Sequence, residues 1–353
     1  MRTLVICGTF DDNNGKPSNY MSQMFSGGEN TSYYVNGGSW KELEKRFREL
    51  VESVEAVYWF PNIPNDKPKL VEEIKKINPK CLLVTSKNNT EYKYTHKDLV
   101  ARALNAKSNL LVEFRKKGGV FTATLHDPLG NVFLTDESRP WEVRIAIEKR
   151  LETLRSFGRM RSIRVGPALA VPDEAEFFGI VKEQAEKFHT LIHAVNSDRL
   201  LGNASFRCER GFPGFRHEDI IFVSQRNIDK RFIGREGFVG VQQEYDTDQV
   251  KYYGDVKPSV DSPIQIRLFH HYTNIKYILH SHTYIKDAII TEDVIPCGAI
   301  EEFHHIVHLV PDQGIENFYI NLRGHGSLVL AKDLNFMRSV PYISRPSPEE
   351  QKI

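Results

Sequence analysis

A chain of 353 residues is long for one hydrophobic core, so two domains are expected. Its 40% hydrophobic and 26% charged residues are those of an ordinary globular protein, and 47 basic against 46 acidic residues leave a net charge of +1. That balance excludes a global positive field for nucleic acid, and the local group Arg144, Lys149, Arg150, Arg155, Arg159, Arg161 and Arg164, interrupted by acids and apolar residues, reads as a solvated helix face.

Only Leu4-Val5-Ile6 stands before Gly8, far short of a secretion signal, and no stretch is apolar enough to span a bilayer. Cys7, Cys81, Cys208 and Cys297 lack paired spacing and read as free thiols in a reducing, cytoplasmic setting.

In chain order, Thr3 to Cys7 is an apolar run ending at Gly8, and Leu43, Phe47, Leu50 and Val54 recur at helical spacing. Ala56 to Phe60 reads as a buried strand. A helix follows, with Asp66 as N-cap, Pro68 in its first turn, and Leu70, Val71, Ile74 and Ile77 on one face. Cys81 to Thr85 and Leu110 to Phe114 are further strands, separated by a helix that starts at Thr95-x-x-Asp98. Val120 to Leu125 and Asn131 to Leu134 form an appended hairpin, and a helix from Trp141 to Leu154 closes the unit. Strands alternating with helices predict a mainly parallel sheet covered on both faces, so residues 1–157 are expected to be a Rossmann-like or flavodoxin-like α/β domain. Its first loop, starting at Gly8 and Thr9 and reaching Ser18, occupies the position where such sheets bind nucleotides or phosphates, although it matches no glycine-rich fingerprint. Residues 158–172 are expected to be a connector, and an amphipathic helix led by Asp173-x-x-Glu176 opens a second domain, 173–353.

The chemistry lies in the second half. Leu279-His280-Ser281-His282-Thr283 ends an apolar run, and strand alternation would put both imidazoles on one face, close enough to share a divalent ion. A catalytic metal needs a third ligand and an open position. His325 offers the ligand from Arg323-Gly324-His325-Gly326, between two strand-like runs. The nearby Glu301-Glu302-Phe303-His304-His305-Ile306-Val307-His308 reads as a helix face or a strand. It has no His-Glu-x-x-His order, so it is expected to be structural, as are His270 and His271.

Five segments in order resemble the class II aldolase/adducin head family: Gly202-Asn203-Ala204-Ser205-Phe206-Arg207, Pro258-Ser259-Val260-Asp261-Ser262-Pro263, His280-Ser281-His282, Ile295-Pro296-Cys297 and Arg323-Gly324-His325-Gly326. Asp261 stands 19 positions before His280, the family's spacing, and the resemblance spans about residues 174–338. It implies an α/β/α domain, a zinc-like ion on His280, His282 and His325, and Asp261 as the acid–base group or a further ligand. It also implies contacts from Asn203 and Ser259 to a substrate phosphate or carboxyl group. Three imidazoles and a carboxylate also suit manganese, iron or cobalt.

Two departures bear on the reaction. Ser224-Gln225-Arg226-Asn227 replaces the family's Thr-Pro-x-Gly turn, with Arg226 able to supply charge to a phosphate. Asp261 stands where aldolases carry Glu and the 4-epimerases carry Asp, whereas the surroundings of His325 are more like those of aldolases and dehydratases. The expected activity is a metal-dependent lyase acting on a small hydroxylated, phosphorylated sugar-like substrate through a metal-stabilised enediolate. The alternatives are a sugar-phosphate 4-epimerase, a dehydratase, or a non-catalytic adducin-like interaction module. A homo-oligomer, by family analogy a tetramer, is expected, with neither nucleic acid nor membrane as a partner.

Overall fold

In the computed structural model the described residues are 1–10, 19–25, 33–63, 69–157, 161–191, 202–208, 212–215, 220–243 and 249–345. They form two compact α/β units, divided between Thr153 and Leu154.

The first unit contains β1 (Thr3–Thr9), α1 (Asn19–Phe25), β2 (Tyr33–Asn36), α2 (Trp40–Glu52), β3 (Ala56–Asn62), α3 (Leu70–Ile77), β4 (Leu82–Asn88), α4 (His96–Asn105), β5 (Leu110–Lys117), β6 (Val120–His126), β7 (Val132–Glu137) and α5 (Pro140–Ser156). Its sheet runs β2-β1-β3-β4-β5-β6-β7, and the first five strands are parallel. The order 2-1-3-4-5 is the flavodoxin-like one, with its switch point at β1 between β2 and β3. All five residues from Ala56 to Phe60 are buried because both faces of the sheet are covered. Val57 and Trp59 join Leu43 and Phe47 of α2 and Ile74 of α3, while Tyr58 and Phe60 turn to Phe25 of α1.

The helix start at Thr95 is a full capping box. The Thr95 hydroxyl accepts from the Asp98 amide, and the Asp98 carboxylate accepts from the Thr95 amide at 2.8 Å. Three features differ from expectation. The hairpin is not an appendage, since β6 pairs antiparallel with β5 and extends the main sheet. α1 and β2, seven and four residues long, are too short to show a periodic pattern in the sequence. Arg150 is buried rather than solvated, its guanidinium 4.4 Å from the Phe133 ring, because this face of α5 packs on β7. Asp66 and Pro68 lie outside the described residues.

The second unit contains β8 (Arg161–Gly166), α6 (Ala175–Leu191), β9 (Asn203–Arg207), β10 (Ile221–Ser224), β11 (Phe238–Gln243), β12 (Gln249–Tyr253), α7 (Ser262–His271), β13 (Tyr277–Ser281), β14 (Tyr284–Ile285), α8 (Glu301–Leu309), β15 (Asn317–Leu322), β16 (Gly326–Ala331), α9 (Leu334–Arg338) and β17 (Tyr342–Ile343). Eight strands form one sheet in the order β15-β16-β13-β9-β10-β11-β12-β8, antiparallel except for the last pair. The segment 158–172, expected as a connector, therefore contributes an edge strand. Its alternation of Ile163 and Val165 with arginines pairs in parallel with β12 and leaves most side chains exposed.

Residues alternate between the two faces of this sheet. Phe206, Phe222, Leu279 and Val329 pack under Phe177, Val181 and Phe188 of α6 and Met337 of α9. Val223, Ile278, Leu328 and Leu330 pack under Ile264 and Leu268 of α7 and Ile306 of α8. The result is an α/β/α sandwich, and by alternation His280 falls on the α7/α8 side with Ile278.

Candidate functional site

The site gathers at one end of β13, around the start of α7 and the β15–β16 turn. β13 ends at Ser281, so His280 belongs to the strand while His282 lies one residue beyond it. Simple alternation is therefore not what unites the two rings. The chain leaves the strand, and their centroids still come within 5.0 Å. His325, from the turn between β15 and β16, stands 4.6 Å from the His280 ring and 5.1 Å from that of His282. One ligand nitrogen from each of the three lies within 4.8 Å of the others.

Gly326 makes that approach possible. A Cβ there would overlap the Ser281 carbonyl oxygen and sit 2.7 Å from the His282 Cα, in a backbone conformation (φ +152°) that side chains rarely adopt. The turn can thus press His325 against the strand end only because residue 326 has no side chain.

Two of the imidazoles are held by partners on the outer nitrogen. His280 Nδ1 donates to the Ser327 carbonyl at 2.9 Å, which leaves its buried Nε2 with no partner. His325 Nδ1 donates to Glu302 Oε1 at 2.8 Å and presents Nε2 to Cys297 Sγ at 3.0 Å. A carbonyl or carboxylate on one nitrogen sets the tautomer that offers the other as a ligand. A buried ring nitrogen with no partner is costly unless something takes its lone pair. The residues therefore fit a divalent ion. Burial, and then the neighbouring His325, lowers His280 to about 4, so its ring is neutral and ready to ligate at neutral pH. Burial and then His280 push His282 down as well. For His325 burial opposes charge, but Cys297 and Glu302 against its two nitrogens move it upward.

Asp261 occupies the N-cap position of α7 without capping it. Its Oδ2 instead accepts from Asn203 Nδ2 at 2.7 Å, and its Oδ1, buried, has no partner. Asn203, expected at a substrate phosphate or carboxyl group, has its amide engaged on both sides, giving a hydrogen to Asp261 and taking one from Gln265. It fixes the carboxylate. The Ser259 hydroxyl accepts from the Asp261 amide at 3.3 Å, so it too helps shape the turn. Arg226 and Asn227 are exposed on the loop after β10, which is tied to the Asp261 segment by the Arg226 amide bonding to the Lys257 carbonyl. Asn227 adopts φ +61°, a left-handed conformation that asparagine takes more readily than most residues.

Three residues escaped the sequence reading. Glu302 lies in the histidine-rich segment, which is the helix α8, but the residue that reaches the site is a buried glutamate rather than any of its histidines. Lys230 is buried two residues from the Ile228 side chain that packs in the core. Burial lowers its ammonium to about 8, against the upward pull of Asp229 and Asp261. Cys297 was visible as part of a motif but not as a site residue. It keeps accessible surface although protein surrounds it densely. A glutamate six positions after Ile295-Pro296, or a lysine opening a single 3-10 turn, carries no sequence signal of this placement.

In the first unit, Gly8 has φ +81° and Thr9 ends β1, at the switch point of the sheet. Ser18, expected in the same loop, lies outside the described residues.

No family model matches the chain. No curated protein matches it either. Among solved structures it is similar to the DNA/pantothenate metabolism flavoprotein from Streptococcus pneumoniae, at 12% identity over 44% of this chain and 99% of that one, with a TM-score of 0.35. It is also similar to L-fuculose-1-phosphate aldolase from Thermus thermophilus, at 15% identity over 47% and 85% of the two chains, TM-score 0.31. A third is the N-terminal class II aldolase domain of a conserved protein from Thermoplasma acidophilum, at 18% identity over 46% and 84%, TM-score 0.32. Likenesses this distant bring no function with them, and the chemistry has to come from the site's own residues. No helix among the described residues is long and apolar enough to cross a membrane.

Proposed function

We propose that the second unit is a metal-dependent lyase of the class II aldolase type, acting on a small hydroxylated, phosphorylated sugar-like substrate. The observation that carries this is the convergence of three imidazoles, two of them buried and oriented through Nδ1, beside a buried carboxylate with an unpaired oxygen. His280, His282 and His325 would hold the ion, zinc by the family resemblance. When bound, it supplies Lewis acidity to neighbouring oxygens of a hydroxy-carbonyl substrate.

The chain's own residues do the rest. Asp261 Oδ1 takes or returns the substrate proton as the C–C bond is broken or made, while Asn203 holds Oδ2 and fixes the direction in which Oδ1 points. Glu302 keeps the proton of His325 on Nδ1. Lys230, buried, brings positive charge near Asp261. Arg226 and Asn227, exposed on the loop after β10, are assigned to the substrate phosphate. Asp261 in place of Glu favours a 4-epimerase as the second reading.

Elemental analysis of purified wild type and of the His280→Ala/His282→Ala double variant tests the proposal. About one divalent ion per chain, lost in the variant, is expected. A screen of sugar phosphates for cleavage, epimerisation and dehydration then separates the reactions. No ion in wild type after zinc or manganese is added back would leave only the binding-module alternative.

A further inference from the structure

We propose that the sulfur of Cys297 is a fourth protein ligand of the ion while the site holds no substrate; this rests on the tri-histidine reading above.

Four observations converge. Cys297 Sγ lies 3.0 Å from Nε2 of His325, the nitrogen through which that residue must bind an ion because Glu302 occupies Nδ1. A metal–imidazole bond is about 2.0–2.1 Å long. An ion placed on that nitrogen therefore meets the sulfur, which must either join it or swing away. Secondly, Sγ, an Asp261 oxygen and a His325 nitrogen form a second group of ligand atoms all within 4.8 Å of one another, sharing His325 with the three-histidine group. Thirdly, Asp261 Oδ1 and His280 Nε2 are buried and have no hydrogen-bond partner, so both donor atoms are unclaimed by the protein.

The fourth observation concerns the backbone. Gly298 adopts φ +77°, and a Cβ there would stand 2.8 Å from the Val260 carbonyl oxygen. The Cys297–Gly298 peptide is thus seated on the segment that carries Asp261, and the Ala299 amide closes a turn onto the Pro296 carbonyl at 3.2 Å. Such a seat leaves the sulfur only side-chain rotation as a way out. Thiolate is a strong ligand for zinc and cobalt, and binding releases the thiol proton to solvent. An incoming substrate oxygen would displace the sulfur, which is the exposed member of the set.

The test uses the full chain, stripped with a chelator and reloaded with Co2+. Wild type is expected to show a thiolate-to-cobalt charge-transfer band in the near ultraviolet. Cys297→Ser is expected to bind the same amount of cobalt without that band. In parallel, iodoacetamide labelling of the Cys297 peptide, followed by mass spectrometry, should be about tenfold or more slower in loaded than in stripped protein. Cobalt bound through His280 and His282 with no such band, or with Cys297 labelled as fast as in stripped protein, overturns the proposal and leaves the three-histidine site intact. Failure of wild type to bind any ion overturns both.

Discussion

Each unit buries a carboxylate among nitrogen donors, and the two clusters are finished differently. In the first unit Glu113, wholly inaccessible on β5, accepts from Asn89 Nδ2 at 2.5 Å and Arg115 Nε at 2.7 Å through one oxygen, and pairs with His126 Nε2 at 3.1 Å through the other. Both oxygens are used, and of that group only His126 Nδ1 has no partner. In the second unit Asp261 leaves one oxygen unused and His280 one nitrogen, and both atoms lie beside the three converging rings. A satisfied buried network stabilises a fold, whereas unpaired atoms that converge on one point mark a place for a ligand. The difference separates a structural carboxylate from a chemical one, although neither residue type nor depth of burial does.

Substitution at the two acids sharpens the contrast most. Asp261→Asn is expected to lower turnover by about 10²- to 10⁴-fold with ion content unchanged, measured by steady-state kinetics on the substrate found in the screen. Loss of the ion instead would reassign Asp261 from proton transfer to ligation.

Glu113→Gln is expected to do the reverse, costing about 3 kcal/mol of stability in urea titration with ion content and turnover unchanged. The sign of its pH dependence follows from the same contacts. Burial would raise the Glu113 carboxyl, but His126, Arg115 and Asn89 bring it down to about 2. Unfolded glutamate titrates near about 4.3. The stabilisation is therefore complete above that value and is lost as pH falls toward and through about 2, a loss the Gln variant should not show. Equal acid sensitivity of the variant and wild type would break the comparison.

The smallest effect is expected at Glu302. Glu302→Gln should weaken ion binding by about 10- to 100-fold, read by competition with a chromophoric chelator, because Gln can hold the His325 ring but with a weaker acceptor. Unchanged affinity would show that the ring is held by packing alone.

Much of this architecture was legible in the chain. Alternating apolar runs and amphipathic stretches led to the parallel sheet of the first unit, and continuous burial of Ala56 to Phe60 followed from a sheet covered on both faces. The short or exposed elements were not legible. β2 leaves its tyrosines half out of the core, and β8 lies at a sheet edge where its arginines face solvent, so neither carries a strong pattern.

By itself the sequence determined the order of segments that bring His280, His282, His325 and Asp261 into one domain, since local propensity and the glycine at 326 act on near neighbours. Only the tertiary structure decided what surrounds them. Glu302 reaches His325 from a helix 23 positions away, Asn203 holds Asp261 across 58, and Cys297 meets His325 across 28. Such contacts depend on how helices α7 and α8 lie across the sheet, and packing of apolar faces fixes that without leaving any mark on the polar residues it brings together.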